Sequence, residues 1–119
     1  PTCWAKVPKD MQDEVYEAML VESFIPGCEV ALEGLLTAGR LEVLALFDKP
    51  DPLDGPFFEE TLYITPSRLK PAVQEAIIRC TEQAAHALGL VRGPLHAELR
   101  INQEGAWILE VAARAIGGL

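Results

Sequence analysis

The chain has 119 residues, of which 50% are apolar and 24% charged, with a formal net charge of −8. That is enough chain for one core and the composition of a globular domain. The acidic balance speaks against nucleic acid and against an anionic membrane surface as partners. No apolar run approaches the roughly 18 residues of a membrane span, and residues 1–10 lack the apolar centre of a signal peptide.

Cys3, Cys28 and Cys80 are far apart and form no CxxC pair, which leaves neither a zinc site nor a disulfide framework. Three reduced thiols fit a cytoplasmic protein. The chain stops at Gly117-Gly118-Leu119, directly after its most motif-like stretch. It is therefore expected to be a piece of a longer protein, with residues 1–18 a linker or partial N-terminal segment and residues 19–119 the folded unit.

Asp10 is placed to cap a short helix over residues 11–18, with Asp13 and Glu14 in its first turn. Residues 19–25 read as a short strand, and Pro26-Gly27 as a turn. Residues 28–37 alternate: Val30, Leu32, Gly34 and Leu36 fall on one side, Glu29, Ala31, Glu33 and Leu35 on the other. Ala38-Gly39 makes a tight turn into a returning strand over residues 41–47, so residues 28–47 are expected to form a hairpin. Three prolines and three aspartates in residues 48–56 predict a loop, anchored by Phe57 and Phe58 and followed by a strand over residues 59–65. A long helix is predicted over residues 69–88, with Ser67 as N-cap, Pro71 in the first turn and Gly89 at the C-terminal end. Val73, Ile77, Cys80, Ala84 and Leu88 give its apolar stripe. A second hairpin closes the chain, with strands either side of a turn at residues 103–105. Strands, one long helix and strands again predict an α+β fold with a mostly antiparallel sheet.

The closing hairpin holds the chemistry. His96, Glu98, Arg100 and Asn102 share one side of its first strand. On the second strand, Trp107, Leu109 and Val111 are expected on one face and Ala106, Ile108 and Glu110 on the other. A turn centred on residues 103–105 sets Glu98 opposite Glu110, with Cβ atoms about 5 Å apart. Two such carboxylates repel unless a cation lies between them, and Mg²⁺ favours one or two carboxylates with phosphate oxygens. Arg114 and the glycines after it suit a phosphate. A solvated face with scattered charges is the plain alternative. Glu22 and Glu29 flank the Pro26-Gly27 turn, where an acid can accept from a sugar hydroxyl or an amine, or stand in water. Lys49 is either a solvated loop lysine or a phosphate-binding cation at the lip of a cleft. His86 belongs to the helix surface or its packing; His96 is either a structural histidine or a polarising group beside Glu98.

Taken together, Glu22, Phe24, Ile25, Gly27 and Glu29, a hairpin, Phe47-Asp48-Lys49, a long helix, Glu98, and Glu110 with Arg114 four residues on resemble the C-terminal part of an ATP-grasp domain. Leu109–Gly118 resembles most the group of L-amino acid ligases and carnosine-synthase-like enzymes. The resemblance implies an ATP-dependent carboxylate–amine ligase that works through an acyl phosphate. It implies that Glu22, Ser23, Phe24 and Ile25 border the adenine, that Glu29 holds the ribose, and that Lys49 approaches the phosphates. It also implies that Glu98 and Glu110 ligate Mg²⁺ or Mn²⁺ and that Arg114 steadies the transferred phosphate. Partners would be a small carboxylic acid and an amine, together with the N-terminal domains absent from this chain; the apolar surface they leave could pair two copies as a homodimer. Ala112 departs from the pattern, since many members carry an asparagine there. A catalytically inactive ATP-grasp-like binding or assembly module is the alternative reading.

Overall fold

The computed structural model describes residues 21–51 and 62–117. Four strands and one helix follow one another as β1 (Cys28–Thr37), β2 (Arg40–Lys49), α1 (Pro71–Ala87), β3 (Gly93–Asn102) and β4 (Gly105–Ala112). The strands form one sheet in the order β2-β1-β3-β4, every neighbour antiparallel. This is the expected α+β arrangement. The two hairpins are local in sequence; the β1–β3 pairing that joins them is not, and it puts one strand from each hairpin at the centre.

Alternation in the central strands divides the sheet into two faces. Val30, Leu32 and Leu36 of β1 and Leu95, Ala97 and Leu99 of β3 are buried in the core with Leu46 of β2. Helix α1 covers this face with Ile77, Thr81 and Ala85, spaced four residues apart. Its innermost line therefore runs beside the expected stripe. Val73 and Cys80 flank it, and Leu88 is exposed. Thr81 fits an apolar interior because its hydroxyl donates to the Ile77 carbonyl at 2.9 Å, which satisfies the buried oxygen within the helix. Burial pushes the Cys80 thiol above its ordinary pKa. Among the described residues no helix is long and apolar enough to cross a membrane.

The helix begins at Pro71, and its N-cap residue is Lys70, without a side-chain cap. Ser67 is not the cap. Its hydroxyl instead donates to the Asp48 carboxylate and accepts from the Leu69 amide at 3.2 Å. Asp48 also accepts from the Arg68 amide at 2.8 Å, and its backbone bridges to Ile64. The β2 strand thus extends through Asp48 and Lys49, residues expected in a loop, because Asp48 anchors the helix entry. Among residues 62–65 only Ile64 pairs, as an isolated bridge.

Residues 21–26 form no strand, contrary to expectation. Side chains serve their carbonyls in place of a ladder. Arg100 donates to the Ile25 carbonyl at 2.8 Å, and Asn102 to that of Pro26 at 3.1 Å. Gly27 makes this approach possible: its φ is +134°, and a Cβ there would lie 2.3 Å from the Ile101 carbonyl oxygen. The expected helix over residues 11–18, Phe57, Phe58 and residues 59–61 of the expected strand lie outside the described residues.

Ile77 is fully buried between helix and sheet. Ile77→Ala is expected to lower unfolding free energy by about 2–5 kcal/mol, measured as a shifted midpoint at constant slope in urea unfolding.

Candidate functional site

The face turned away from the helix carries the charge. In register across β1 and β3, Glu29 stands opposite Arg100, Ala31 opposite Glu98, and Glu33 opposite His96. From β2, Lys49 stands opposite Glu29; from β4, Glu110 stands opposite Glu98. Ala31 is fully buried at the centre of this pattern and ends at Cβ, while the long side chains around it converge.

Lys49 is 6% exposed, and its ammonium lies 2.9 Å from Glu29 Oε1 and 2.9 Å from Glu98 Oε1. It also sits over the Tyr63 ring, 4.9 Å from the centroid. It is therefore no solvated loop lysine. The two-residue period that sends Asp48 to the helix side sends Lys49 to this one. A buried cation needs partners that offset its lost hydration, and the two carboxylates provide them.

Glu29 uses its second oxygen for Arg100, whose Nε donates at 3.1 Å. Arg100 is 5% exposed and its guanidinium lies 4.6 Å from the centroid of the Phe24 ring. With its bond to the Ile25 carbonyl, Arg100 fastens residues 24–25 to the sheet. Sequence reasoning put Arg100 on this face but gave it no role; its signal was an arginine two residues from Glu98 on the same side of a strand. At the other end, His96 is buried, with Nδ1 hydrogen-bonded to Glu33 and Nε2 3.5 Å from Glu98 Oε1. His86 is exposed on the helix.

The pairing of Glu98 with Glu110 comes about differently from the expected route. The turn is two residues, with Asn102 opposite Gly105, and a bulge between Glu98 and Leu99 on the β3 side admits Leu109 as an extra residue. The bulge also changes which residues share a side. Trp107 pairs with Arg100 and Glu110 with Glu98, so both belong to the charged face, while Val111 pairs with core Ala97.

A cleft of about 300 Å³ opens on this face. Glu22, Ser23, Phe24 and Ile25 form one wall, Glu29, Glu98 and Arg100 the floor, and Ile108 and Leu109 the opposite wall. Phe24, Ile25, Ile108 and Leu109 give it apolar surface beside a few convergent polar groups, as in small-molecule sites. Lys49 does not line this cleft but borders a neighbouring cavity of about 450 Å³, together with Glu29 and Arg100. Glu110 and Arg114 are likewise outside the cleft lining; they pair with each other, Nη2 to Oε1 at 3.6 Å, at the exposed end of the face. Glu98 is common to both groups, since it lines the cleft and stands opposite Glu110.

The cross-strand pair Glu98–Glu110 offers hard oxygen donors, which fit Mg²⁺ when phosphate oxygens and water complete its shell. Among the described residues, no group of three or more His, Cys, Asp or Glu is gathered to hold a metal by itself.

An ATP-grasp domain model matches residues 2–119. Carnosine synthase 1 from Gallus gallus is 33% identical over 101 residues, covering 85% of this chain and 11% of that protein. Alanine–anticapsin ligase from Bacillus subtilis is 32% identical over 90 residues, 74% of this chain and 18% of the relative. The crystal structure of an L-amino acid ligase from Bacillus licheniformis superposes with a TM-score of 0.73 at 43% identity, over 80% of this chain and 24% of that one. The chain therefore spans less than a fifth of the length of the curated relatives it matches.

Arg100→Met removes both the Glu29 partner and the clasp on Ile25. Its expected effect is a loss of about 3 kcal/mol, the low end for breaking a buried pair, because Glu29 keeps Lys49. Chymotryptic cleavage after Phe24 should accelerate in parallel, read by mass spectrometry of timed digests.

Proposed function

This chain belongs to the ATP-grasp family, and we propose that its charged sheet face is the nucleotide- and metal-binding part of an ATP-dependent carboxylate–amine ligase. One observation supports this above the others. Glu98 belongs at once to the cleft beside residues 22–25 and to the carboxylate pair with Glu110. A ligand filling the cleft would extend from one end of this face towards the other, as a nucleoside triphosphate with its metal does.

In this reading, Glu22, Ser23, Phe24 and Ile25 border the adenine, and Glu29 accepts from the ribose hydroxyls. Arg100 holds both in place, since it grips Glu29 and the Ile25 carbonyl together. Lys49 neutralises charge near the phosphates and keeps Glu98 oriented. Glu98 and Glu110 would hold Mg²⁺, which when bound would supply positive charge to offset that of the phosphates. Arg114, beside Glu110, faces the transferred phosphate.

The reaction needs no protein nucleophile. A carboxylate oxygen of the acid substrate attacks the γ-phosphorus; the bond to the ADP oxygen breaks, giving an acyl phosphate. An amine nitrogen then attacks the acyl carbon, phosphate departs, and the amine loses a proton. Positioning and charge neutralisation by these residues lower the barrier. The names of the relatives, among them an L-amino acid ligase and an alanine–anticapsin ligase, support amino acids as the substrate class. Residues 19–119 would be the C-terminal subdomain, with the remaining walls supplied by chain outside this stretch.

A second reading, an inactive ATP-grasp-like binding or assembly module, is favoured by Ala112. It stands opposite His96 on the charged face and offers no oxygen ligand. Calorimetry on the full chain bears on the choice: no heat on titration with Mg-ATP would mark an inactive module.

For the full chain that contains these residues, ADP release is expected to require both a carboxylic acid and an amine. Glu98→Gln and Glu110→Gln should each lower that turnover by about a hundredfold or more, the scale of losing one preorganised charge in a transition state. Unchanged turnover in both variants would sink the proposal.

A further inference from the structure

Glu33 has no part in the roles set out above, yet it is almost enclosed, its side chain 13% exposed. It lies on β1 in a row of three, Glu33–His96–Ala112, that crosses β1, β3 and β4 in register. Its two oxygens hold different partners. Oε1 takes Nδ1 of His96, and Oε2 accepts the backbone amide of Ile116 at 3.1 Å. Ile116 lies beyond the end of β4, so the chain after Ala112 turns back across β3 to reach a carboxylate on β1. Ala112 ends at Cβ at the point where this return begins.

Each partner leads to a different part of the site. Ile116 follows Arg114 by two residues, so its bond to Glu33 fixes the backbone that carries the guanidinium. His96, held at Nδ1, directs Nε2 towards Glu98, 3.5 Å away. One carboxylate thus touches the supports of both the arginine and the cleft's shared glutamate. A carboxylate that served only to satisfy His96 would need one oxygen. The second oxygen is committed to an irregular segment that leaves the sheet, where water could serve the amide equally well.

We propose that Glu33 is a positioning residue that ties the Arg114 segment to Glu98 through His96, setting the arginine at a fixed place relative to the carboxylate pair. The proposal rests on the ligase reading for its catalytic consequence; the tether itself does not. An acyl phosphate forms and collapses within about a bond length of where its phosphate is held, so an arginine on an untied segment would lose alignment more than nucleotide affinity.

The test uses the full chain. In Glu33→Ala, amide hydrogen exchange at Ile116 should quicken by about tenfold or more. Turnover should fall by about 10–100-fold, the usual scale for a group that orients a ligand or reacting side chain. Binding of adenosine, which lacks the phosphates and the metal, should stay within about twofold by calorimetry, since Glu33 does not line the cleft beside residues 22–25. Glu33→Gln keeps an oxygen for the Ile116 amide without the anionic partner of His96; it should retain exchange protection and recover part of the turnover. In an Arg114→Ala background, Glu33→Ala should add far less than its own loss, because residues that act as a unit are not additive. Unchanged exchange at Ile116 in Glu33→Ala overturns the tether, and strictly additive losses overturn the link to Arg114. A full chain that turns over no acid–amine pair would sink the ligase reading and the catalytic half of this one. The exchange measurement then still decides whether Glu33 holds the segment.

Discussion

Lys49 lies between Glu29 and Glu98, nearly out of water, and the other charges on this face are arranged in consequence. Glu29 needs a second cation for its free oxygen and has Arg100. Glu98 turns its oxygen towards Lys49 and His96, and His96 in turn is held by Glu33. The result is an unbroken chain of polar contacts from the Ile25 carbonyl to the Ile116 amide. Each member would be costly to bury alone and is tolerable beside its neighbours. Among the described residues no enclosed side-chain nitrogen or oxygen is left without a hydrogen-bond partner. A charged chain of this kind stabilises little compared with an apolar layer, but it fixes where each carboxylate points. Fixed direction is what recognition of phosphate, metal and sugar requires.

The two faces of the sheet divide the labour. On one, Leu32, Leu95 and Leu99 supply burial and hold the helix through Ile77. On the other, the same backbone carries Glu29, Glu33, His96, Glu98 and Arg100. Strand alternation keeps the two sets independent, so the charged face can be altered residue by residue without opening the core. Asp48 and Lys49, adjacent in sequence, show the division at its sharpest. One anchors the entry to α1, and the other lies at the centre of the charged chain.

Much of this could be read in the residues. The hairpin at residues 28–47, the helix and the partnership of Glu98 with Glu110 all follow from local patterns: period two, a turn, a proline and a glycine at the helix ends. What could not be read was non-local or depended on one inserted residue. Nothing in Glu29 or Arg100 announces that β1 will lie beside β3, so the Arg100–Glu29 pair and the Glu33–His96 pair were invisible. Residues 19–25 look like a strand because they are apolar and bounded by Pro26-Gly27. Their described part is not one, because Arg100 and Asn102 occupy carbonyls that a neighbouring strand would otherwise have taken. Lys49 read as a loop residue because prolines follow it, and its burial depends on carboxylates from two other strands.

The extra residue in β4 separates two properties that a regular hairpin would lock together. Leu109 occupies a place in the chain but none in the ladder, so strand parity before it and after it is set independently. Removing that one residue would bring Ile108 and Glu110 next to each other in an unbroken ladder and leave Glu110 still opposite Glu98. The apolar wall of the cleft would lose a side chain while the carboxylates kept their register. The hairpin thus contains a seam at which the shape of the binding surface can be edited by length alone, with the acidic pair carried through the edit unchanged.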